Sequence, residues 1–150
     1  MARRRKRYKQ GRFIPRHPEK YIGNVKSIRY LSSWELRFDQ FLDNNPNVLQ
    51  WSSEEIAIPY IKPTDGKVHR YYPDYWIKFK DKHGKEVQEI VEIKPDAQTR
   101  QPTRQGKKRR QQLYETITYA INMAKWKYAK LFCDKHGVKF RIVTERELFK

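Results

Sequence analysis

Residues 71–94 have the sequence YYPDYWIKFKDKHGKEVQEIVEIK, in which two apolar runs flank a polar turn at residues 81–84. Runs rich in Tyr, Trp, Ile and Val that are joined by a short turn containing glycine predict a β-hairpin. We expect its first strand to cover residues 68–80 and its second strand to cover residues 87–94. Pro95 ends the second strand because proline has no N–H to donate to a ladder.

Helical spacing is present on both sides of this hairpin in the sequence. Apolar residues recur at helical intervals in residues 30–45, where Ser32 is a suitable N-cap. A longer helical pattern runs from Leu113 to Leu131, through about six turns. The second pattern is typical of a helix that packs one face on a core.

Two more strands complete the predicted order of elements. Residues 55–61 predict a strand that Pro59 confines to an edge or an irregular position. Residues 138–143 predict the last strand, directly after the long helix. Because a crossover of that length permits parallel pairing, we expect an α/β fold with a central mixed β-sheet flanked by helices.

The chain is strongly basic. Lys and Arg outnumber Asp and Glu 34 to 17, which gives a formal net charge of +17 and implies a polyanionic partner. The first 30 residues hold 11 basic residues and one acidic residue, so we expect residues 1–29 to form a flexible DNA-contacting arm and residues 30–150 to form a single domain. The candidate DNA-binding residues of this arm are Arg3, Arg4, Arg5, Lys6 and Arg7.

A second basic run opens the long helix. Its members are Lys107, Lys108, Arg109 and Arg110. The helix macrodipole disfavours each cation at this end by a few tenths of a kcal/mol. An anionic partner at the start of the helix explains the run, and the backbone of double-stranded DNA is such a partner.

Composition excludes two classes of protein. No stretch of the chain is long and apolar enough to span a bilayer, so we expect no membrane partner. Cys133 is the only cysteine, which excludes a disulfide framework and a thiolate zinc site.

Asp74, Glu92 and Lys94 form the candidate catalytic site. Alternate residues of a strand share a face, so Glu92 and Lys94 project together, roughly 7 Å apart along the strand. Asp74 lies on the preceding strand, where the pairing register can bring its carboxylate beside Glu92. Two nearby carboxylates repel each other unless a divalent cation lies between them, and Mg²⁺ prefers oxygen ligands. This set therefore predicts metal-dependent phosphodiester hydrolysis, in which Lys94 orients water or offsets charge on the phosphate.

The same residues carry a resemblance to known nucleases. Pro73-Asp74 followed by Glu92-Ile93-Lys94 resembles the motif of the PD-(D/E)XK nuclease superfamily, whose site is commonly completed by a glutamate on the first helix, here Glu35. The segments SWELRF, YPDY and VEIKP also resemble the head completion nucleases of T-even-type tailed bacteriophages. That family is itself similar to the end-cleaving nuclease subunit of some bacterial transposons.

The resemblance extends over nearly the full chain and carries several expectations. It implies a restriction-endonuclease-like core and Mg²⁺-dependent DNA cleavage, with Mn²⁺ able to substitute. It implies catalytic roles for Glu35, Asp74, Glu92 and Lys94, and metal binding by Asp74 and Glu92, which Glu35 joins directly or through water. It also implies action on the DNA-filled phage head after packaging and before tail attachment, with double-stranded DNA and phage head, portal or neck proteins as partners. The expected location is the host cytoplasm during assembly and then the virion head, and a homodimer would supply the two sites that cutting both strands needs.

Each candidate residue also has a purely structural interpretation. Ser32 and Glu35 have the spacing of a capping box, and the role of Glu92 and Lys94 could be limited to an ion pair on the sheet surface.

For the whole protein, the alternative to a nuclease is a non-catalytic DNA-binding head component with the same fold. An RNA-binding protein fits the charge but leaves the carboxylates unexplained. We expect DNA binding to be largely insensitive to base sequence, because the basic groups contact phosphate.

Overall fold

The structure is a computed structural model that describes residues 10–149. Its helices and strands are, in chain order, β1 Gly11–Arg12, β2 Arg29–Tyr30, α1 Ser33–Asn44, β3 Val48–Ser53, β4 Ile58–Ile61, β5 Val68–Tyr71, β6 Tyr75–Lys80, β7 Glu86–Ile93, α2 Arg109–His136, β8 Lys139–Val143 and α3 Glu145–Leu148. Short 3₁₀ turns lie at Pro18–Lys20, Val25–Ser27 and Asp96–Thr99.

The main sheet has four strands in the order β3-β6-β7-β8. β6 is antiparallel to both of its neighbours, whereas β7 and β8 are parallel and are connected by α2. The predicted mixed sheet and the crossover role of the long helix are therefore confirmed. Two further pairs, β1 with β2 and β4 with β5, form small antiparallel sheets of their own.

Helices cover both faces of the main sheet. The face towards α1 buries a core that includes Phe38, Leu42, Trp51, Tyr75 and Val91. The face towards α2 buries a second core, to which the β4-β5 hairpin contributes, that includes Ile58, Tyr71, Ile90, Trp126 and Ala129. Because Val91 and Ile90 lie in different cores, β7 alternates between the two faces as predicted. The predicted α/β architecture, a sheet between helices, is confirmed.

The predicted strand at residues 68–80 is wrong in one respect, because it is two strands. β5 pairs with β4 in the small hairpin, and β6 pairs with β3 and β7 in the main sheet. Residues 72–74 connect them, and Pro73 in this connection has no N–H with which a ladder could continue. The chain therefore changes sheets immediately before Tyr75.

The sequence prediction missed β3 altogether. A β-bulge between Val48 and Gln50 shifts its register against β6, which breaks the alternation of apolar and polar residues.

The strand predicted at residues 55–61 is present but shorter, since β4 begins at Ile58. Pro59 lies within a two-stranded ribbon, which agrees with its predicted edge position.

Residues 10–29, which were expected to belong to a flexible arm, are packed on the domain. Phe13 is 7% exposed and contributes to the core on the α1 side. The Asp43 carboxylate accepts hydrogen bonds from the backbone N–H groups of Arg16 and His17, at 2.7 and 2.9 Å. Lys20 Nζ donates to three carbonyls at the end of α1. The boundary at residue 29 is therefore corrected, because this segment caps α1 and fills the core.

The long helix ends at a glycine, one turn and a half beyond the last residue of the predicted pattern, Leu131. Gly137 adopts a left-handed conformation with φ of 68°, and its N–H donates to the Cys133 carbonyl. This is a standard glycine termination of a helix. Among residues 10–149, none of the helices combines the length and the apolar character of a membrane-spanning helix.

Candidate metal centre and active site

Three acidic residues lie in a row across the ends of neighbouring strands. Ser53 pairs with Tyr75, and Tyr75 pairs with Val91. Continuing both registers by one residue places Glu54 beside Asp74, and Asp74 beside Glu92. The Glu54 N–H donates to the Asp74 carbonyl at 3.1 Å, which shows that the pairing of β3 and β6 does continue. The row lies at the end of β7 that is opposite the 81–84 turn.

A direct hydrogen bond joins Asp74 to Glu92, and a second one joins Asp74 to the next residue of β7. The Asp74 N–H donates to Glu92 Oε2 at 3.3 Å, and the Ile93 N–H donates to Asp74 Oδ2 at 2.7 Å. The Tyr71 hydroxyl also donates to Glu92 Oε2, at 2.7 Å. Glu92 Oε1 lies 3.6 Å from Lys94 Nζ. The structure thus brings the predicted Asp74, Glu92 and Lys94 to one place.

Glu35 reaches the same place from α1 while it also caps the helix. Its Oε2 accepts from the Leu31 N–H at 2.9 Å, and the Ser32 hydroxyl accepts from the Glu35 N–H at 3.2 Å. The Tyr75 hydroxyl donates to the Glu35 carbonyl at 3.1 Å and to Asp39 Oδ1 at 2.6 Å, which fixes α1 against the sheet. The capping role is present, and it does not remove Glu35 from the site.

Glu35, Glu54 and Asp74 form a three-carboxylate group. One oxygen from each lies within 4.8 Å of the other two, a spacing at which one cation can contact all three. Glu92 is outside this group, and its Oε2 accepts hydrogen bonds from the Tyr71 hydroxyl and the Asp74 N–H. Of the predicted metal ligands, the structure thus groups Asp74 with Glu35 and leaves Glu92 beside them.

Glu54 is a site residue that sequence reasoning missed. It follows β3, the strand that the bulge concealed. Its backbone has φ of 54°, the one positive φ among the described non-glycine residues. A non-glycine residue in this region is uncommon, and such strained positions cluster at functional sites. The nearest sequence signal was the acidic pair of residues 54 and 55 after an apolar run.

The three carboxyl groups of this cluster and that of Glu92 all have raised pKa values. Burial and the Glu92 carboxylate raise the pKa of Asp74 well above its usual range, although the Ile93 N–H opposes this. Burial likewise raises the pKa of Glu92, against the hydrogen bond from Tyr71 and the charge of Lys94. Burial raises the pKa of Glu35, and burial and Glu35 raise that of Glu54. Burial is the largest cause in each case, so the ionised carboxylates are unfavourable in the metal-free protein, and a divalent cation bound between them would offset that cost.

A second lysine approaches the site from α2. Lys125 Nζ lies 5.6 Å from the centroid of the Tyr71 ring and 5.9 Å from that of the Tyr60 ring, a cation–π arrangement. Burial lowers the pKa of Lys125, Glu92 raises it, and Lys94 lowers it. Lys125 therefore shares the surroundings of Glu92 and Lys94. No sequence pattern distinguishes it, because it is one of several lysines on a long helix.

Comparison with known proteins agrees with this arrangement. Residues 45–145 match the family described as TnsA-like endonuclease N terminal. The chain belongs to the TnsA-like endonucleases. It is also 40% identical over 141 residues to the "Head completion nuclease" of Enterobacteria phage T4, with 90% of each chain covered.

As a TnsA-like endonuclease, the protein has a restriction-endonuclease-like fold and is a DNA-hydrolysing enzyme. The family implies a need for a divalent metal ion, and the carboxylate group described above fits that need by its oxygen donors, its spacing and its raised pKa values. Oxygen-rich sites with several acidic groups are those that hard cations occupy.

The basic run of this endonuclease lies at the start of α2, but its four members differ. Lys107 Nζ is paired with the Glu115 carboxylate, so its charge is already partnered. Lys108 is the N-cap residue without a capping hydrogen bond from its side chain, and Arg109 is the first residue of the helix. Lys108, Arg109 and Arg110 are exposed. The arm residues Arg3, Arg4, Arg5, Lys6 and Arg7 lie outside the described residues.

Proposed function

We propose that Asp74, Glu92, Lys94 and Glu35 carry out metal-dependent hydrolysis of DNA phosphodiester bonds, and that Glu54 belongs to the same site. The observation that supports this most strongly is the row of Glu54, Asp74 and Glu92 across three adjacent strands, with Lys94 Nζ 3.6 Å from Glu92 Oε1. A structural ion pair on a sheet surface would need only two of these groups. It would not gather four carboxyl groups with raised pKa values.

Mg²⁺ is the proposed ion, and Mn²⁺ can substitute for it. Asp74, Glu35 and Glu54 would hold it, and Glu92 would contribute through Oε1, the oxygen that Tyr71 leaves free. When bound, the ion supplies positive charge at the phosphate and increases the acidity of a coordinated water. The Ile93 N–H and the Tyr71 hydroxyl keep one oxygen of Asp74 and one of Glu92 oriented, at 2.7 Å in both cases.

Lys94 and Lys125 are the proposed phosphate contacts. Lys94 is fixed by its strand, since its N–H donates to the Val143 carbonyl at 3.0 Å, and its ammonium faces Glu92. Lys125 approaches from the opposite element, α2, over the ring of Tyr71. Two cations beside the scissile group offset the charge that develops on the phosphate during hydrolysis. Lys94 would also orient the attacking water.

The name of the T4 relative supports a proposal for the biological role. We place the protein in phage head completion, where it acts on double-stranded DNA after packaging and before tail attachment. Its protein partners would be head, portal or neck components. It would be located in the host cytoplasm during assembly and then in the virion head. A homodimer would provide one site for each strand. Lys108, Arg109, Arg110 and the arm residues Arg3 to Arg7 would contact the DNA backbone.

Cleavage of linear and circular duplex DNA with Mg²⁺, with Mn²⁺ and with EDTA tests this function. We expect cleavage by the parent protein to stop in EDTA, and to stop in Asp74→Asn and Glu92→Gln while DNA binding persists. Glu86→Gln is the matched control, because Glu86 is an exposed acid at the other end of β7, 3.4 Å from Lys78. Equal cleavage by all variants would assign the activity to other residues. Binding without cleavage under any metal would leave a non-catalytic DNA-binding head component.

A further inference from the structure

A cleft of about 880 Å³ lies between the 96–103 connection and the first half of α2. This volume is within the ~300–1,000 Å³ range of small-ligand sites. Each wall of the cleft continues along the chain to a residue of the candidate active site. Asp96 on one wall follows Lys94 by two residues, and Asn122 on the other wall precedes Lys125 by one helical turn.

Asn122 is the least expected residue of this cleft. Asn122 is only 6% exposed and lines the cleft, and its amide makes no hydrogen bond to another group of residues 10–149. What remains accessible of this residue borders the cleft, so the polar atoms of the amide find their partners there and not in the core. The amide offers one acceptor and two donors. A ligand with both kinds of group at one edge would satisfy it.

The other walls favour a planar, uncharged ligand group. Tyr114 and Tyr119 present aromatic rings, and uncharged donors and acceptors complete the lining, among them Gln98, Thr103 and Thr118. The two cations on the walls are already paired, Arg100 with Asp96 at 2.6 Å and Lys107 with Glu115. A phosphate site would keep its cations free. Aromatic rings together with amides instead suit a nucleobase, which stacks on the ring and hydrogen-bonds at its edge.

We propose that this cleft holds an unpaired nucleobase of the DNA substrate, stacked on Tyr119 and hydrogen-bonded to Asn122. This rests on the proposed nuclease function and adds a substrate class to it. A base inside a duplex cannot enter a cleft of this kind without leaving its stack. The enzyme would accordingly favour DNA that has at least one unpaired base beside the scissile phosphate, such as a single-stranded overhang or a frayed end.

A binding experiment tests the proposal without depending on cleavage. The full chain with Asp74→Asn, in EDTA, is titrated with a hairpin duplex that ends either blunt or in a three-nucleotide overhang containing 2-aminopurine. We expect the overhang to bind about 5- to 100-fold more tightly than the blunt end, the range that one stacked base supplies. We also expect quenching of 2-aminopurine fluorescence, because the base stacks on an aromatic ring.

Two variants and one control complete the test. Asn122→Leu and Tyr119→Ala should each reduce the preference for the overhang and leave blunt-end affinity unchanged. Asn122→Leu should also keep or raise the melting temperature, since the amide has no hydrogen bond to lose. Thr116→Val is the control, because Thr116 is exposed on the same helix and is not part of the cleft lining.

Equal affinity for blunt and overhanging ends would overturn the proposal. A preference for overhangs that survives both Asn122→Leu and Tyr119→Ala would overturn it as well. Failure of the nuclease function gives a different result, which is the absence of cleavage by the parent protein with Mg²⁺ whatever the binding preference. The two failures are therefore distinguishable.

Discussion

Asp74 and Glu92 face each other at the ends of two adjacent strands, and the Asp74 N–H donates to Glu92 Oε2 at 3.3 Å. The bond holds the backbone of one acidic residue to the side chain of the other. Both carboxyl groups are consequently kept close although burial and their mutual charge raise the pKa of Asp74. The proximity of the two carboxyl groups is unfavourable in the metal-free protein. It is the arrangement expected of groups whose proposed role is metal binding and catalysis.

Asp74→Asn should separate stability from activity. The amide oxygen of Asn can still accept from the Ile93 N–H, and the substitution removes a buried negative charge. We expect the metal-free variant to be as stable as the parent or more stable, while the cleavage rate falls by at least about 100-fold. Thermal unfolding in EDTA and single-turnover cleavage measure the two effects. A variant that loses stability and activity together would indicate a structural role for Asp74.

Metal binding should strengthen as the pH rises. The carboxyl groups of Glu35, Glu54, Asp74 and Glu92 have raised pKa values, so they hold protons in the metal-free protein at pH values where ordinary carboxyl groups are ionised. Because the ion binds only the ionised forms, binding releases protons. Calorimetric titration with Mg²⁺ in two buffers of different ionisation enthalpy measures that release. Affinity that stays constant as the pH rises from the usual carboxyl range towards neutrality and above would contradict the prediction.

Asp39→Asn should stabilise the protein most at high pH. Burial, with smaller contributions from Glu35 and Glu54, raises the pKa of Asp39 to about 8, against the hydrogen bond from Tyr75. A raised pKa means that the contribution of Asp39 to stability is complete below the unfolded-state pKa, near 3.8, and is lost as the pH rises to about 8. The gain from the substitution should therefore be small near pH 4 and should grow up to about pH 8.

Thermal unfolding of the parent and of Asp39→Asn across this pH range, in EDTA, checks the prediction. Asn at this position can still accept the hydrogen bond from Tyr75. A gain that is the same at every pH would mean that Asp39 is ionised in the folded protein. Asp81→Asn is a suitable control, because Asp81 lies in the 81–84 turn away from the site.

Lys125→Met should weaken catalysis much more than Lys127→Met. Met keeps most of the length of the side chain and its packing on Tyr71, but it removes the proposed phosphate contact. Lys127 is exposed on the same helix and serves as the matched control. We expect Lys125→Met to lower the cleavage rate by about 10- to 100-fold, with a smaller effect on overall DNA affinity. Equal rates for the two variants would remove Lys125 from the site.

Replacing Lys108, Arg109 and Arg110 together with Gln should flatten the salt dependence of DNA binding. Each phosphate contact that is lost lowers the slope of log K against log salt by about 0.9. Lys107 is left unchanged because it is paired with Glu115. Lys82→Gln with Lys85→Gln is the control, since both lysines are exposed beside the turn at the far end of β7. A slope that matches the control would place the basic run outside the DNA footprint.

The sequence predicted the parts of the site that depend on local pattern. The alternation of β7 placed Glu92 and Lys94 on one face, and Ser32 marked the start of α1. Glu54 could not be predicted because its strand has a bulge, and its position depends on pairing with β6. Lys125 could not be predicted because nothing local distinguishes a helical lysine that overlies a buried tyrosine from its exposed neighbours.

Residues 10–29 show the opposite limit. Their charge predicts an arm, yet Lys20 binds the last carbonyls of α1 and Phe13 enters the core. Basic composition therefore did not distinguish a lysine that caps a helix from one that contacts DNA. The apolar residues between the basic ones were the signal for packing, and each is isolated in sequence from the elements that bury it.

The acidic row also links the timing of activity to folding. Its residues and their neighbour on the helix come from four different elements. Glu35 lies on α1, and Glu54, Asp74 and Glu92 lie at the ends of β3, β6 and β7. A chain in which these elements have not yet packed together lacks the proposed metal site, whatever its affinity for DNA. On the proposed assignment, the ability to cut therefore arises only when the last of these strands has joined the sheet.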